Sequence, residues 1–106
     1  MDERVTVTIQ FVGEFSEALQ ADIKKIAHEQ AEKLTGSYFQ TILKKEDALI
    51  RIRLHMEKTV QDKYEGKFNA NLDGEIYRWD TDVPFRKPLD VVGHAFKHLK
   101  EDLANK

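Results

Sequence analysis

The sequence predicts an α+β fold with two layers, a four-stranded sheet with both helices on one face, in the order β-α-β-β-β-α. Four segments alternate apolar and polar residues, which is typical of strands with one buried face. Two other segments repeat apolar residues every three or four positions, which is typical of amphipathic helices. Since 106 residues are enough for one packed core, residues 1–106 are expected to form a single domain.

The composition is that of a soluble globular protein and narrows the possible functions. Of the residues, 41% are hydrophobic and 34% are charged, and the lack of cysteine excludes a disulfide scaffold and a thiolate metal site. No segment resembles a signal peptide or a membrane span, so we expect a cytoplasmic protein without a membrane partner. The net charge of -2 argues against binding nucleic acid through bulk positive charge, so no DNA partner is expected and any RNA contact must use a local patch.

The beginning of the chain predicts a strand followed by a helix. The segment VTVTIQFVG (5–13) alternates, so its apolar residues lie on one face. Ser16 is a candidate N-cap, because its hydroxyl can accept a hydrogen bond from a free backbone N–H of the first helical turn. The helix is expected to end at Gly36, a residue type that suits the position after a helix. Its apolar stripe consists of Leu19, Ile23, Ile26, Ala27 and Leu34.

The rest of the chain predicts three further strands and a closing helix. After an irregular stretch around SYFQTILKKED, the segments DALIRIRLHMEK (47–58), KYEGKFNANL (63–72) and EIYRWDT (75–81) alternate. Asp73 and Gly74 predict a two-residue hairpin between the last two strands, because a type I′ turn needs positive φ at both positions. The closing helix has Pro88 in its first turn and an apolar stripe of Leu89, Val92, Phe96, Leu99 and Leu103.

The hairpin determines which side chains share a face of the sheet. If Leu72 pairs with Glu75, then Phe68 lies opposite Trp79, and this aromatic face belongs beneath the helices. A solvated polar face is the ordinary condition for the other side of an antiparallel sheet, and a binding surface is the alternative. The residues expected on that open face are Arg51, Arg53, His55, Lys67, Asn69 and Arg78.

Signals for catalysis and for metal binding are weak. The closing helix has His94 and His98 four residues apart, a spacing that can bind a divalent metal, but no third ligand is evident. We therefore expect neither a metal nor a cofactor, and the two histidines are either solvated or part of a surface that meets phosphates. There is no GxSxG, no Gly-rich phosphate loop and no recognisable pair of carboxylates, so an enzyme is not expected.

Three local strings and the order of elements resemble a known family. The strings are EKLTGSYF (32–39), LDGEI (72–76) and LDVVGHAFKHLKEDL (89–103). With them the chain resembles the ribosome hibernation-promoting factors, also called ribosome-associated inhibitors or sigma-54 modulation proteins, over nearly its whole length. The resemblance implies a translation regulator of stress and stationary phase. The family's short members bind the decoding region of the small ribosomal subunit without catalysis, through basic residues of both helices.

The resemblance also implies which residues contact ribosomal RNA. Lys33 occupies the family's Lys-Leu position, and His98 lies where the closing helix usually has a lysine before leucine. The family's Asp-Met-Tyr opening of that helix is replaced by RKPL (86–89). The expected RNA-binding residues are Lys24, Lys25, His28, Lys33, Arg86, Lys87, His94, Lys97, His98 and Lys100, followed by Arg51 and Arg53 on the sheet.

Two other functions stay open at this point. The first is a protein-interaction module that keeps the fold but has lost ribosome binding. The second is a generic double-stranded RNA-binding module, whose order is normally α-β-β-β-α, whereas this chain begins with a long strand. Longer relatives dimerise through a C-terminal segment, and the sequence ends at Lys106 just after the closing helix, so we expect a monomer.

Overall fold

The computed structural model describes residues 2–105 and shows the predicted order of elements with one addition. This part of the chain forms a four-stranded sheet and three helices, which confirms the predicted α+β fold and adds a short helical turn before the second strand. The elements are β1 (Val5–Val12), α1 (Glu17–Thr35), α2 (Gln40–Leu43), β2 (Ile50–Lys58), β3 (Tyr64–Leu72), β4 (Glu75–Asp80) and α3 (Pro88–Ala104).

The strands lie side by side in the order β1-β2-β3-β4. The first pair is parallel and the other two pairs are antiparallel. A parallel pair needs a crossover connection, and the segment containing α1 provides it between β1 and β2. The predicted hairpin register, with Leu72 opposite Glu75, is confirmed together with its aromatic face. Asp73 and Gly74 have φ angles of 54° and 100°, as the type I′ turn requires.

Both long helices cover the same face of the sheet, as predicted. Helix α1 packs against β1, α3 packs against β3 and β4, and the two helices contact each other. Between the layers lies one buried apolar cluster, in which Phe68 of β3 and Phe96 of α3 meet edge to face with ring centroids 5.2 Å apart. Burial of this apolar surface is the main driving force for folding. The second face of the sheet is left uncovered.

One assignment in the closing helix is wrong. Leu89 was expected on the core face, but its side chain is 40% exposed, and Val91 is fully buried instead. The reason lies in β3, where Gly66 has no side chain and the Cγ1 atom of Val91 occupies the space that a Cβ would need. The close approach of α3 to β3 therefore turns Val91 inwards.

The connection after α1 also differs from the prediction. The stretch expected to be irregular contains α2, and Phe39 just before it is fully buried. Gly36 ends α1 as expected, but its φ of -77° is right-handed, and its N–H donates to the carbonyl oxygen of Glu32 at 3.0 Å. The helical turn then continues, since the N–H of Phe39 donates to the carbonyl oxygen of Leu34 at 2.9 Å. This continuation carries Phe39 into the core.

The starts of the two long helices agree with the sequence. Ser16 caps α1, because its Oγ accepts a hydrogen bond from the backbone N–H of Leu19 at 3.1 Å. Pro88 lies in the first turn of α3, where its missing N–H costs no helical hydrogen bond. Within residues 2–105, every helix is too short or too polar to cross a membrane.

Candidate nucleic-acid interface

The two long helices form a groove between them that gathers three lysines. Lys33 comes from the last turn of α1, while Lys97 and Lys100 lie three residues apart on α3 and so share one helical face. We call this surface the helix groove. Its volume is about 250 Å³, and it is lined by Gln30, Lys33, Leu34, Ser37, Gly93, Phe96, Lys97 and Lys100.

The lysines of the helix groove are exposed, and the carboxylates next to them in sequence do not lie within ion-pair distance of them in the described residues. Within residues 2–105, Lys33, Lys97 and Lys100 form no ion pair. The groove has an apolar floor, because Leu34 and Phe96 are buried in the core. Each lysine ammonium offers three hydrogen-bond donors on a flexible stem. Three such groups along one groove can bind successive phosphates of an extended polyanion.

The other basic residues of α1 do not belong to this groove. Lys24, Lys25 and His28 are exposed on the helix, but they do not line the helix groove. Nine residues, about two and a half helical turns, separate Lys24 from Lys33, so the two side chains leave α1 on opposite sides. The structure therefore does not bring the predicted lysines of α1 together.

The two histidines of α3 lie on another flank of that helix. The ring of His94 is 4.8 Å from the ring of Phe85, and the ring of His98 is 6.0 Å from that of Trp79, measured between centroids. Both histidines therefore face the side of β4 and the connection after it, apart from the lysines of the helix groove. Within the described part of the chain, no three histidine, aspartate or glutamate side chains are close enough together to hold a metal ion.

Arg86 and Lys87 are exposed just before α3. Lys87 is the N-cap residue of this helix, and its side chain makes no capping hydrogen bond. Phe85 and Tyr64 exchange two backbone hydrogen bonds, of 2.7 and 2.8 Å, which hold the connection against the start of β3. Because the N-terminus of a helix favours negative charge, these two cations do not stabilise α3. Their position is consistent with a role in contacting an anionic partner.

The uncovered face of the sheet contains a second concave surface, which we call the sheet groove. Arg53, an expected binding residue, lies in it, whereas Arg51 lines a separate depression of about 200 Å³ beside the hairpin turn. Lys67 and Arg78 line the sheet groove but were not among the expected binding residues. The hairpin register contained part of the signal, because it places Arg78 opposite Asn69, and the pairing of β2 with β3 adds Arg53 on the other side of Asn69. The groove has a volume of about 290 Å³ and is lined by Thr8, Gln10, Arg53, Leu54, His55, Lys67, Phe68, Asn69, Arg78 and Asp80.

Known proteins resemble this chain in structure but not in sequence. No protein-family model matches the chain, and no curated protein is similar to it in sequence. Among solved structures, the chain is similar to the N-terminal domain of Protein Y from Thermus thermophilus, with a TM-score of 0.55 and 11% sequence identity. The match covers 93% of this chain and 93% of that one. The two chains share a fold.

Protein Y falls within the hibernation-factor family that the sequence resembles. At 11% identity, the likeness establishes the common fold and does not extend to individual binding residues. The fold nevertheless explains how one small chain presents two separate basic surfaces. The helix groove lies on the helical layer, and the sheet groove lies on the opposite side of the sheet.

Proposed function

We propose that the protein is a ribosome-associated factor that binds RNA in the decoding region of the small ribosomal subunit and silences translation without catalysis. The helix groove supports this proposal most, because three lysines that form no ion pair in the described residues lie between the two long helices of a fold shared with Protein Y. The family resemblance points to the same surface, since it implies RNA contacts from basic residues of both helices.

A local patch can bind RNA although the whole chain has a net charge of -2. Ionic interactions between exposed charges are screened over about 8–10 Å at physiological salt, so distant carboxylates oppose the patch only weakly. Each lysine that neutralises a phosphate releases condensed counterions, and this release supplies affinity that falls as salt rises. Salt-dependent binding through the lysines of the helix groove is therefore compatible with the net charge of the chain.

Under this proposal the expected binding residues differ in how close they lie to the helix groove. Lys33, Lys97 and Lys100 form the centre, and Arg86 and Lys87 extend the contact from the start of α3. The remaining expected residues of the helical layer lie outside the helix groove and would make separate contacts, namely Lys24, Lys25, His28, His94 and His98. Arg51 and Arg53 lie on the opposite layer, so they would contact a different RNA segment from the helix groove.

Binding of purified small subunits at several salt concentrations tests the proposal. Lys33→Gln combined with Lys97→Gln should weaken binding by about tenfold or more and reduce the slope of log affinity against log salt by about two. The control, Lys44→Gln combined with Lys63→Gln, removes the same charge from the connections on either side of β2. It should bind like the wild type.

Two results would contradict the proposal. If the helix-groove variant binds as tightly as the control, the helix groove is not the contact surface. If the wild type shows no affinity for small subunits even at low salt, ribosome binding itself is wrong. The protein is proposed to act as a monomer, and dimerisation at micromolar concentration in sedimentation experiments would contradict that part.

A protein-interaction module of the same fold is the second candidate, and one observation favours it. A cavity of about 520 Å³ lies beside the helix groove and shares Ser37 with it. Partly buried apolar side chains form part of its wall, and such surfaces are typical of protein contacts. The lining residues are Ser37, Tyr38, Thr41, Ile42 and Leu103. Absence of ribosome affinity in the wild type would favour this candidate.

A further inference from the structure

The sheet groove places three cations around one asparagine. Asn69 of β3 lies directly opposite Arg53 of β2 on one side and Arg78 of β4 on the other. Lys67 lies two residues before Asn69 on β3 and points to the same face. Neighbouring strands are about 4.8 Å apart, so the backbones of Arg53 and Arg78 are separated by about 10 Å. Two guanidinium groups can therefore approach one extended ligand from both sides of Asn69.

These cations, Arg53, Lys67 and Arg78, form no ion pair in the described part of the chain, although Asp80 lies directly opposite Lys67 in the register. The same face also carries Asp80, Glu57 and Glu65, but in the described residues none of these carboxylates is within ion-pair distance of the three cations. Gathering like charges costs electrostatic free energy, so an anionic ligand that compensates this cost would bind favourably.

The remaining lining of the sheet groove indicates what kind of anion fits. Thr8, Gln10 and Asn69 add neutral hydrogen-bonding groups, which commonly contact phosphate and sugar in nucleic-acid complexes. Leu54 and Phe68 are buried in the core, so the groove presents no exposed Phe, Tyr or Trp side chain. His55 lines the groove, but it is half-buried and its Nδ1 lies 3.4 Å from Oε1 of Gln10, so the groove offers little surface for stacking splayed bases and no large apolar anchor for a protein partner.

We propose that the sheet groove binds the phosphate backbone of a base-paired RNA segment. Arginine presents a planar fork that matches phosphate bidentately, and duplex RNA is recognised mainly by shape and by contacts to phosphates and 2′-hydroxyls. Arg53 and Arg78 contact phosphates, Lys67 adds a third positive charge, and Asn69 with Thr8 supplies donors and acceptors for the sugar. This site is separate from the helix groove and does not depend on ribosome binding through it.

The paired substitution Arg53→Gln with Arg78→Gln separates binding from folding. Neither arginine has an ion-pair partner in the described part of the chain, so the variant should unfold at the same temperature as the wild type or at a higher one. The matched control is Lys44→Gln with Lys63→Gln, which removes the same charge outside both grooves. Thermal unfolding of all three proteins establishes that they are folded before binding is compared.

Fluorescence titration with an RNA duplex of about 16 base pairs, a length that suits shape-specific duplex binders, tests the proposal. The wild type and the control should bind this duplex more tightly than single-stranded RNA or a DNA duplex of the same sequence. The arginine variant should bind it at least about tenfold more weakly. Equal binding by the arginine variant and the control would overturn the proposal.

Three other outcomes would also overturn it. If single-stranded RNA binds as tightly as the RNA duplex, the groove is not specific for base-paired RNA. If duplex DNA binds as tightly as duplex RNA, the groove is not specific for RNA. Displacement of the duplex by poly-glutamate at the same concentration of charge would indicate an acidic protein partner instead.

Discussion

Arg4 ties the connection before β2 to the start of β1. Its guanidinium donates to the carbonyl oxygens of Leu43, Lys45 and Glu46 at 2.8–3.1 Å. The same group pairs with the Asp2 carboxylate at 2.9 Å, and this carboxylate also accepts from the backbone N–H of Arg4 at 2.9 Å. Because three of these acceptors lie about forty residues away in sequence, this one side chain stabilises the parallel pairing of β1 with β2.

The Asp2–Arg4 pair should make stability depend on pH. The hydrogen bond from the Arg4 side chain holds the pKa of the Asp2 carboxyl below its ordinary value of 3.8. A lowered pKa in the folded state contributes stability that is fully present above the unfolded value and is lost as pH falls through the folded value. We expect Asp2→Asn to lower the unfolding temperature at neutral pH, and the difference from wild type to shrink as pH falls below 3.8 and through the lower pKa of the folded state.

The neighbouring exposed carboxylate of Glu3 supplies the control for this experiment. Glu3→Gln removes the same charge from the same segment but leaves the hydrogen bonds of Arg4 intact, so it should unfold like the wild type at every pH. If both variants lose the same stability at neutral pH, the effect comes from net charge and not from the pair with Arg4.

At the level of elements, the contact of α3 with β3 depends on a residue without a side chain. A Cβ atom at Gly66 would overlap the Cγ1 atom of Val91, so Gly66→Ala should destabilise the fold by about 1–3 kcal/mol through overpacking. Gly93 in α3 has nothing within 4 Å of an added Cβ. Gly93→Ala should therefore stabilise the protein by roughly 0.5–1 kcal/mol, because alanine favours the helix. Equilibrium unfolding in urea measures both changes.

A double-mutant cycle identifies the cause of the first change. Val91→Ala removes the atom that an alanine at position 66 would strike, so it should cost less stability in the Gly66→Ala background than in the wild type. An equal cost in the two backgrounds would show that Gly66 acts through β3 alone. Destabilisation by Gly93→Ala would contradict the open space found at that position.

The secondary-structure elements could be predicted from the sequence where signals within the same segment determine them. Strand alternation and the Asp-Gly turn independently indicate the same hairpin register, so the face of every residue in β3 and β4 followed from them. The burial of Phe39 and of Val91 could not be predicted in this way. Phe39 is drawn into a core built by distant elements, and Val91 fills a space that exists only because Gly66 lies on the facing strand.

In the candidate site too, some features follow from local sequence and others depend on packing between elements. The shared face of Lys97 and Lys100 follows from their spacing on one helix. His94 and His98 lie on the same helix but on a different flank from these lysines, against the sheet side. The rotation of about 100° per residue already separates the two pairs by roughly 110° around α3. Spacing could not reveal which flank faces the sheet, because that depends on how α3 packs against its neighbours.

At the scale of the whole molecule, a slightly acidic chain presents cations on both of its outer layers, and within residues 2–105 the lysines and arginines of the two grooves form no ion pair. The net charge of -2 describes the sum, whereas binding depends on the charges within a screening length of the ligand. The helix groove and the sheet groove lie on opposite sides of the sheet, so one RNA strand segment does not fill both. Under the proposals for the helix groove and the sheet groove, the domain contacts two RNA segments at once.

Two independent contact surfaces should contribute additively to binding of small subunits. Two pairs of substitutions each remove two of the proposed phosphate contacts: Lys33→Gln with Lys97→Gln, and Arg53→Gln with Arg78→Gln. Each pair should lower the slope of log affinity against log salt by about two, and the fourfold variant should lower it by about four. Because distant sites without shared partners usually add, the losses of binding free energy should sum to within about 0.5 kcal/mol.

Sedimentation of small subunits with each variant across a salt series measures these slopes. If the fourfold variant binds no more weakly than one of the pairs, only that surface contacts the subunit. If its loss clearly exceeds the sum, the two grooves cooperate on one continuous RNA element and the independence inferred from their positions is wrong. If the reductions in the slope of log affinity against log salt add and the unfolding temperatures are unchanged, the domain contacts RNA through both of its layers. Substitutions that acted only through net charge would instead have the same effect wherever they lie in the chain, including in the control.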